Sequence, residues 1–122
     1  MGMPLLDRDP SLDDLLLLDG QVLVIDPDGG LWVKFVVRRV PAIPEKPHGL
    51  DYSLTLHAAN GERLVGFDNA HPVGGGRRAS RPNDHRHRLK TVQPYEYRTA
   101  ADLLADFWAE VDAVLQNLRG AP

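Results

Sequence analysis

The sequence predicts an α+β fold in which a small, largely antiparallel four-stranded sheet, from Gln21 to Asp68, packs against one long C-terminal amphipathic helix, from Thr99 to Leu118. Three observations carry this prediction. Leu50 to Ala58 alternates with period two, with Leu50, Tyr52, Leu54, Leu56 and Ala58 on one face and Asp51, Ser53, Thr55 and His57 on the other. The Asn60-Gly61 pair that follows favours a tight hairpin turn into Arg63 to Asp68. Near the end, Leu103, Leu104, Phe107, Trp108, Val111, Val114, Leu115 and Leu118 recur at three- and four-residue spacing, which draws one apolar stripe along a helix. With 122 residues, the chain has room for one hydrophobic core, so a single domain over residues 1–122 is expected.

The other elements follow in order. Pro4 to Pro10 is polar and bounded by prolines, so residues 1–10 are expected to form a poorly ordered leader. Ser11 to Leu18 suits a short helix with Ser11 at its N-cap and Asp13 and Asp14 in the first turn, and equally suits an extended edge element. Gln21 to Ile25 is rich in β-branched residues and runs into Asp26-Pro27-Asp28-Gly29-Gly30, a turn sequence, so a hairpin into Leu31 to Val40 is predicted. Pro41, Pro44 and Pro47 lack the amide hydrogen a ladder needs, which makes Pro41 to Gly49 a loop. Residues 72–83, rich in glycine and arginine, read as a mobile loop. Thr99 is placed to cap the last helix, with Asp102 three residues on.

Composition narrows the chemistry. With no cysteine there is neither a disulfide framework nor a thiolate metal site. No stretch approaches the ~20 apolar residues of a membrane span, and no signal-like start is present, so a soluble cytoplasmic protein without membrane contact is the expectation. The net charge of −3 conceals a segregation: residues 61–99 hold eight bases against four acids, while residues 1–30 hold seven acids and one base. Positive charge gathers around the histidines, as a polyanion site would need. The run Gly74-Gly75-Gly76-Arg77-Arg78 matches neither a P-loop nor a dinucleotide fingerprint, which excludes a nucleoside triphosphatase of that kind.

The candidate site lies between Leu64 and Tyr97, where three of the five histidines fall. If Asp84-His85-Arg86-His87 is extended, His85 and His87 point one way and Asp84, Arg86 and Arg88 the other. Near neutral pH, one imidazole of such a pair can be neutral and the other charged, the combination that RNA cleavage uses as base and acid. Two other readings of the same residues stay open. His71, His85 and His87 with Asp68 or Asp84 form a plausible nitrogen and oxygen metal set, opposed by the adjacent arginines. Alternatively, Asp68 and Asn69 merely cap a turn and the histidines belong to a polar loop.

The strings Pro47-His48-Gly49, Asp51-Tyr52-Ser53-Leu54, Leu64 to His71 with its Asp68-Asn69 pair, Asp84-His85-Arg86-His87, Pro94-Tyr95 and Leu103 to Trp108 together resemble the TumE family of toxin–antitoxin proteins, over about Asp28 to Leu118. Two departures stand out: residues 72–83 form a longer, arginine-rich link than the family's, and Phe67 replaces a common tyrosine. The resemblance implies a toxin encoded beside a DNA-binding antitoxin. Joined to the residue chemistry, it gives the expectation of a metal-independent ribonuclease needing no cofactor, with RNA and the antitoxin as partners and a homodimer left open. The expected catalytic residues are His85, His87 and His71, with Asp68 or Asp84 orienting an imidazole; Arg86, Arg88, Arg98, Asn69 and Tyr95 are the expected substrate contacts. The alternatives are a non-catalytic binding module or inhibitor, or a His/Asp metal-binding protein.

Overall fold

The structure, a computed structural model, describes residues 9–44, 46–69, 84–88 and 91–120. Of the leader expected over residues 1–10, residues 1–8 fall outside the described residues, as do the mobile loop expected over residues 72–83 and His71 as a site residue. The elements are α1 (Leu12–Leu16), β1 (Val22–Asp26), β2 (Leu31–Arg39), β3 (Leu50–His57), β4 (Arg63–Asp68), β5 (His85–Arg88), β6 (Thr91–Pro94) and α2 (Ala100–Gly120). The strands follow one another across a single sheet in chain order, each antiparallel to the next.

The α+β class, the antiparallel sheet and the C-terminal helix are as predicted, but the sheet has six strands among the described residues rather than four. The two added strands carry little of the apolar alternation that reveals a half-buried strand. β5 reads His-Arg-His-Arg and all four residues of β6 are exposed, so ladder pairing of β5 to β4 and of β6 to β5, and not burial of an apolar face, makes them strands. Within the 58–62 connection, Gly61 takes φ +89°, the conformation that favours glycine in such a turn.

One face of the sheet is dry. Val33, Phe35 and Val37 of β2, Tyr52, Leu54 and Leu56 of β3, and Val65 and Phe67 of β4 are buried there against Leu103, Phe107 and Val111 of α2. The rings of Phe35 and Phe67 meet Phe107 edge-on at 5.9 and 6.2 Å, the favoured aromatic geometry. α1 adds a fully buried Leu15 to the same core.

The start of α2 is closed by three side chains. Thr99 Oγ1 accepts from the Asp102 amide at 3.1 Å, Asp9 Oδ2 from Ala100 at 2.6 Å and Ser11 Oγ from Ala101 at 2.9 Å. Ser11 thus caps α2 and makes no side-chain capping bond to α1, a long-range role its local sequence does not disclose. No helix among the described residues is long and apolar enough to cross a membrane.

Candidate functional site

The register places the site chemistry on the face of the sheet opposite α2. Two rows of side chains run across that face: Ser53, Asp68, His85 and Pro94 are paired in one, and Thr55, Gly66, His87 and Val92 in the other. Because successive strand residues alternate faces, Arg86 and Arg88, opposite Phe67 and Val65, are on the helix side.

Asp68 is the hub. Its Oδ1 lies 2.8 Å from His85 Nε2, and its Oδ2 lies 3.4 Å from His87 Nε2, so one carboxylate holds two imidazoles. The two rings stand 4.7 Å apart at 76°, edge to face. Asp68 and His85 are buried, His85 with only 2% of its surface exposed, and His87 is the more accessible ring. The contact of His87 with Asp68 is close enough for electrostatics but not directed as a hydrogen bond, leaving the buried His87 Nε2 without a hydrogen-bond partner among the described residues. Burial holds the His87 pKa below the ordinary imidazole value, and the Arg63 charge lowers it further against the opposing pull of Asp68. The ligand atoms of Asp68, His85 and His87 all lie within 4.8 Å of one another, the donor set that could hold a metal.

Arg63 is the residue that sequence reasoning missed. The β3–β4 register slips between Leu56 and His57: Leu56 pairs with Val65 but His57 pairs with Arg63, so Leu64 is the extra residue of a bulge. The slip turns Arg63 onto the histidine face. Its side chain lies over Gly66, where a Cβ would stand 3.1 Å from Arg63 Cδ, so the missing side chain of Gly66 is what gives the guanidinium its place beside His87. Nothing in the local sequence announces a one-residue slip, although a glycine in a strand interior is a sign of close approach.

The other expected site residues are placed elsewhere. Asp84 is on the helix side, buried, and accepts the Tyr52 hydroxyl at 2.7 Å. Burial raises its pKa, against the lowering effects of that hydrogen bond and of the His48 and His85 charges. Burial and the Asp84 carboxylate in turn raise the Tyr52 hydroxyl far above its ordinary value, so Tyr52 stays protonated and donates. Arg86 and Arg88 approach Glu110 of α2 at 3.9 and 3.5 Å, and Arg86 also bonds Gln93. Arg98 pairs with Asp102 at 3.2 Å, and Tyr95 donates to Asp106 at 2.5 Å. The Asn69 amide bonds backbone on both sides, accepting from Tyr52 N at 3.1 Å and donating to Leu50 O at 2.6 Å.

Thus Asp68, His85 and His87 are brought together, with Arg63 beside them, while Asp84, Arg86, Arg88, Arg98, Tyr95 and Asn69 serve contacts on the helix side or at the strand ends. Comparison with curated proteins and with solved structures gives no match. A family model does match: the one described as Toxin TumE, over residues 19–115, a span that contains Arg63, Asp68, His85 and His87 and begins after α1. The chain belongs to the TumE toxin family.

Proposed function

We propose that this toxin acts on RNA as a ribonuclease, with the Asp68, His85 and His87 cluster as its active site and proton transfer as its chemistry. The observation that supports this best is the buried carboxylate that grips two imidazoles on the face opposite α2, with a guanidinium alongside.

The two histidines divide the work. Asp68 beside His87 Nε2 favours the tautomer with its proton on that nitrogen, which leaves Nδ1 as the base. In the proposed step His87 Nδ1 takes the proton of a ribose 2′-hydroxyl, the oxygen attacks the adjacent phosphorus, and the 5′-oxygen departs with a proton from water, whose hydroxide is neutralised by the proton His87 has taken, leaving a 2′,3′-cyclic phosphate and a free 5′-hydroxyl. Arg63 neutralises charge that develops on the phosphoryl oxygens. His85, almost without exposed surface, does not meet RNA; its bond to Oδ1 holds the carboxylate in place, which makes it a positioning residue. A neutral His87 suits a base, and the lowered pKa agrees with that role.

The test is expression of the wild type, His87→Gln and Arg63→Ala in cells, with total RNA followed after induction. Wild-type toxicity with RNA breakdown, lost in His87→Gln and weakened in Arg63→Ala, is the expected result. Equal toxicity with intact RNA in all three would replace the ribonuclease by a toxin that works through binding.

A further inference from the structure

We infer that Asp68, His85 and His87 form a zinc site, and that zinc bound there silences the proposed proton transfer. The regulatory half rests on the ribonuclease reading; the binding half stands on the geometry alone.

The distances carry the first half. Zinc takes nitrogen and carboxylate oxygen ligands at about 2.0–2.2 Å in a tetrahedron, so two ligand atoms on one zinc are separated by roughly 3.3 Å. His85 Nε2 lies 2.8 Å from Asp68 Oδ1 and His87 Nε2 lies 3.4 Å from Asp68 Oδ2, and one ligand atom from each of the three residues lies within 4.8 Å of the others. Drawing these atoms in to separations of about 3.3 Å around one carboxylate oxygen would complete the site. The 3.4 Å contact is too poorly aimed for a hydrogen bond, so the buried His87 Nε2 is without a hydrogen-bond partner among the described residues and is placed to take a ligand beside Asp68. Two imidazoles and one carboxylate leave a fourth position for water, and magnesium, which prefers an octahedron of oxygens, fits the set poorly.

The silencing follows from the tautomer. Zinc on Nε2 requires the lone pair there, so the single proton of the neutral His87 ring moves to Nδ1. The nitrogen that serves as base without metal then carries a proton and accepts none. Arg63 acts against the cation: its side chain lies over Gly66, the ladder partner of His87, and a positive charge there repels a dication.

The experiment uses the full chain without a polyhistidine tag, stripped with EDTA and dialysed against ZnCl2 or MgCl2, with bound metal counted per chain. One zinc per chain and no stoichiometric magnesium are expected. His87→Gln should weaken zinc binding by tenfold or more, and Arg63→Ala should strengthen it. Zinc bound equally well by wild type, His87→Gln and Asp68→Asn, or no stoichiometric zinc in the wild type, would overturn the site. RNA cleavage is then read separately: zinc should suppress it in the wild type and EDTA restore it, and undiminished cleavage by zinc-loaded protein would overturn the silencing. Zinc binding that depends on His87 in a protein that never cleaves RNA would leave the metal site standing and remove only the ribonuclease.

Discussion

Replacing Asp68 by asparagine keeps the shape of the hub and removes its charge. The amide oxygen can still accept from His85 Nε2 across the present 2.8 Å, but a charge-assisted bond worth about 1.5–3 kcal/mol becomes a neutral one worth about 1 kcal/mol. The other half of the amide is an NH2 group facing His87 Nε2 at the site of the 3.4 Å contact, and it offers a hydrogen where a carboxylate offered an acceptor. His87 answers by turning Nε2 into an acceptor and moving its proton to Nδ1. Stability should therefore fall by about 1–2 kcal/mol, a Tm loss of roughly 4–8 °C for a domain of this size. RNA cleavage should fall by about 100-fold or more, the usual worth of a positioned general base. Thermal unfolding and cleavage of a labelled RNA, measured on the same preparation, separate the two effects. A folded Asp68→Asn protein that cleaves RNA within threefold of wild type would refute the reasoning about the tautomer.

Other expectations follow from residues around the hub. Tyr52→Phe leaves the buried Asp84 carboxylate without its 2.7 Å donor and should cost about 1–3 kcal/mol in urea unfolding. The raised pKa of Asp84 means that the folded chain holds this proton more tightly than the unfolded one. Its contribution to stability is then full below the unfolded value near ~3.9 and is eroded as pH rises toward the folded value. Asp84→Asn, whose amide oxygen can still accept from Tyr52, should match wild type in acid and exceed it at pH 7; lower stability at pH 7 would contradict this. Asn69→Ala should cost about 2–4 kcal/mol, since the Tyr52 amide and the Leu50 carbonyl both lose a buried partner, and a Tm near that of wild type would show that the amide is dispensable to the fold. Arg86→Ala and Arg88→Ala, which remove partly exposed pairs with Glu110, should each cost under ~1 kcal/mol and leave toxicity unchanged, whereas Arg63→Ala should reduce it.

Much of the fold was legible because it is written locally. The period-two pattern of Leu50 to Ala58, the turn glycine at Gly61 and the apolar stripe of α2 each need only a few neighbouring residues to be recognised. β5 and β6 were missed because they have no such pattern: their partners supply the ladder, and one of those partners is β4, which lies many residues earlier in the chain. The alternation of Asp84 to Arg88 did place His85 and His87 on one face and the arginines on the other. Its consequence for Arg86 and Arg88 depends on which face α2 covers, and that is settled by packing.

The sequence by itself determined the chemistry available: two imidazoles at alternate positions, a hairpin that delivers Asp68 at its end, an excess of positive charge in the same segment, and membership in a toxin family whose strings are carried by short stretches. Only the tertiary structure decided which of those groups meet. Pairing of Asp68 with His85 is a matter of register between β4 and β5, and a slip of one residue would have turned both histidines toward α2. The same kind of slip, at the bulge between Leu56 and His57, exchanged the expected arginines for Arg63. Register is set by the summed burial of whole strands, a property of the assembled sheet that no single residue along the chain records.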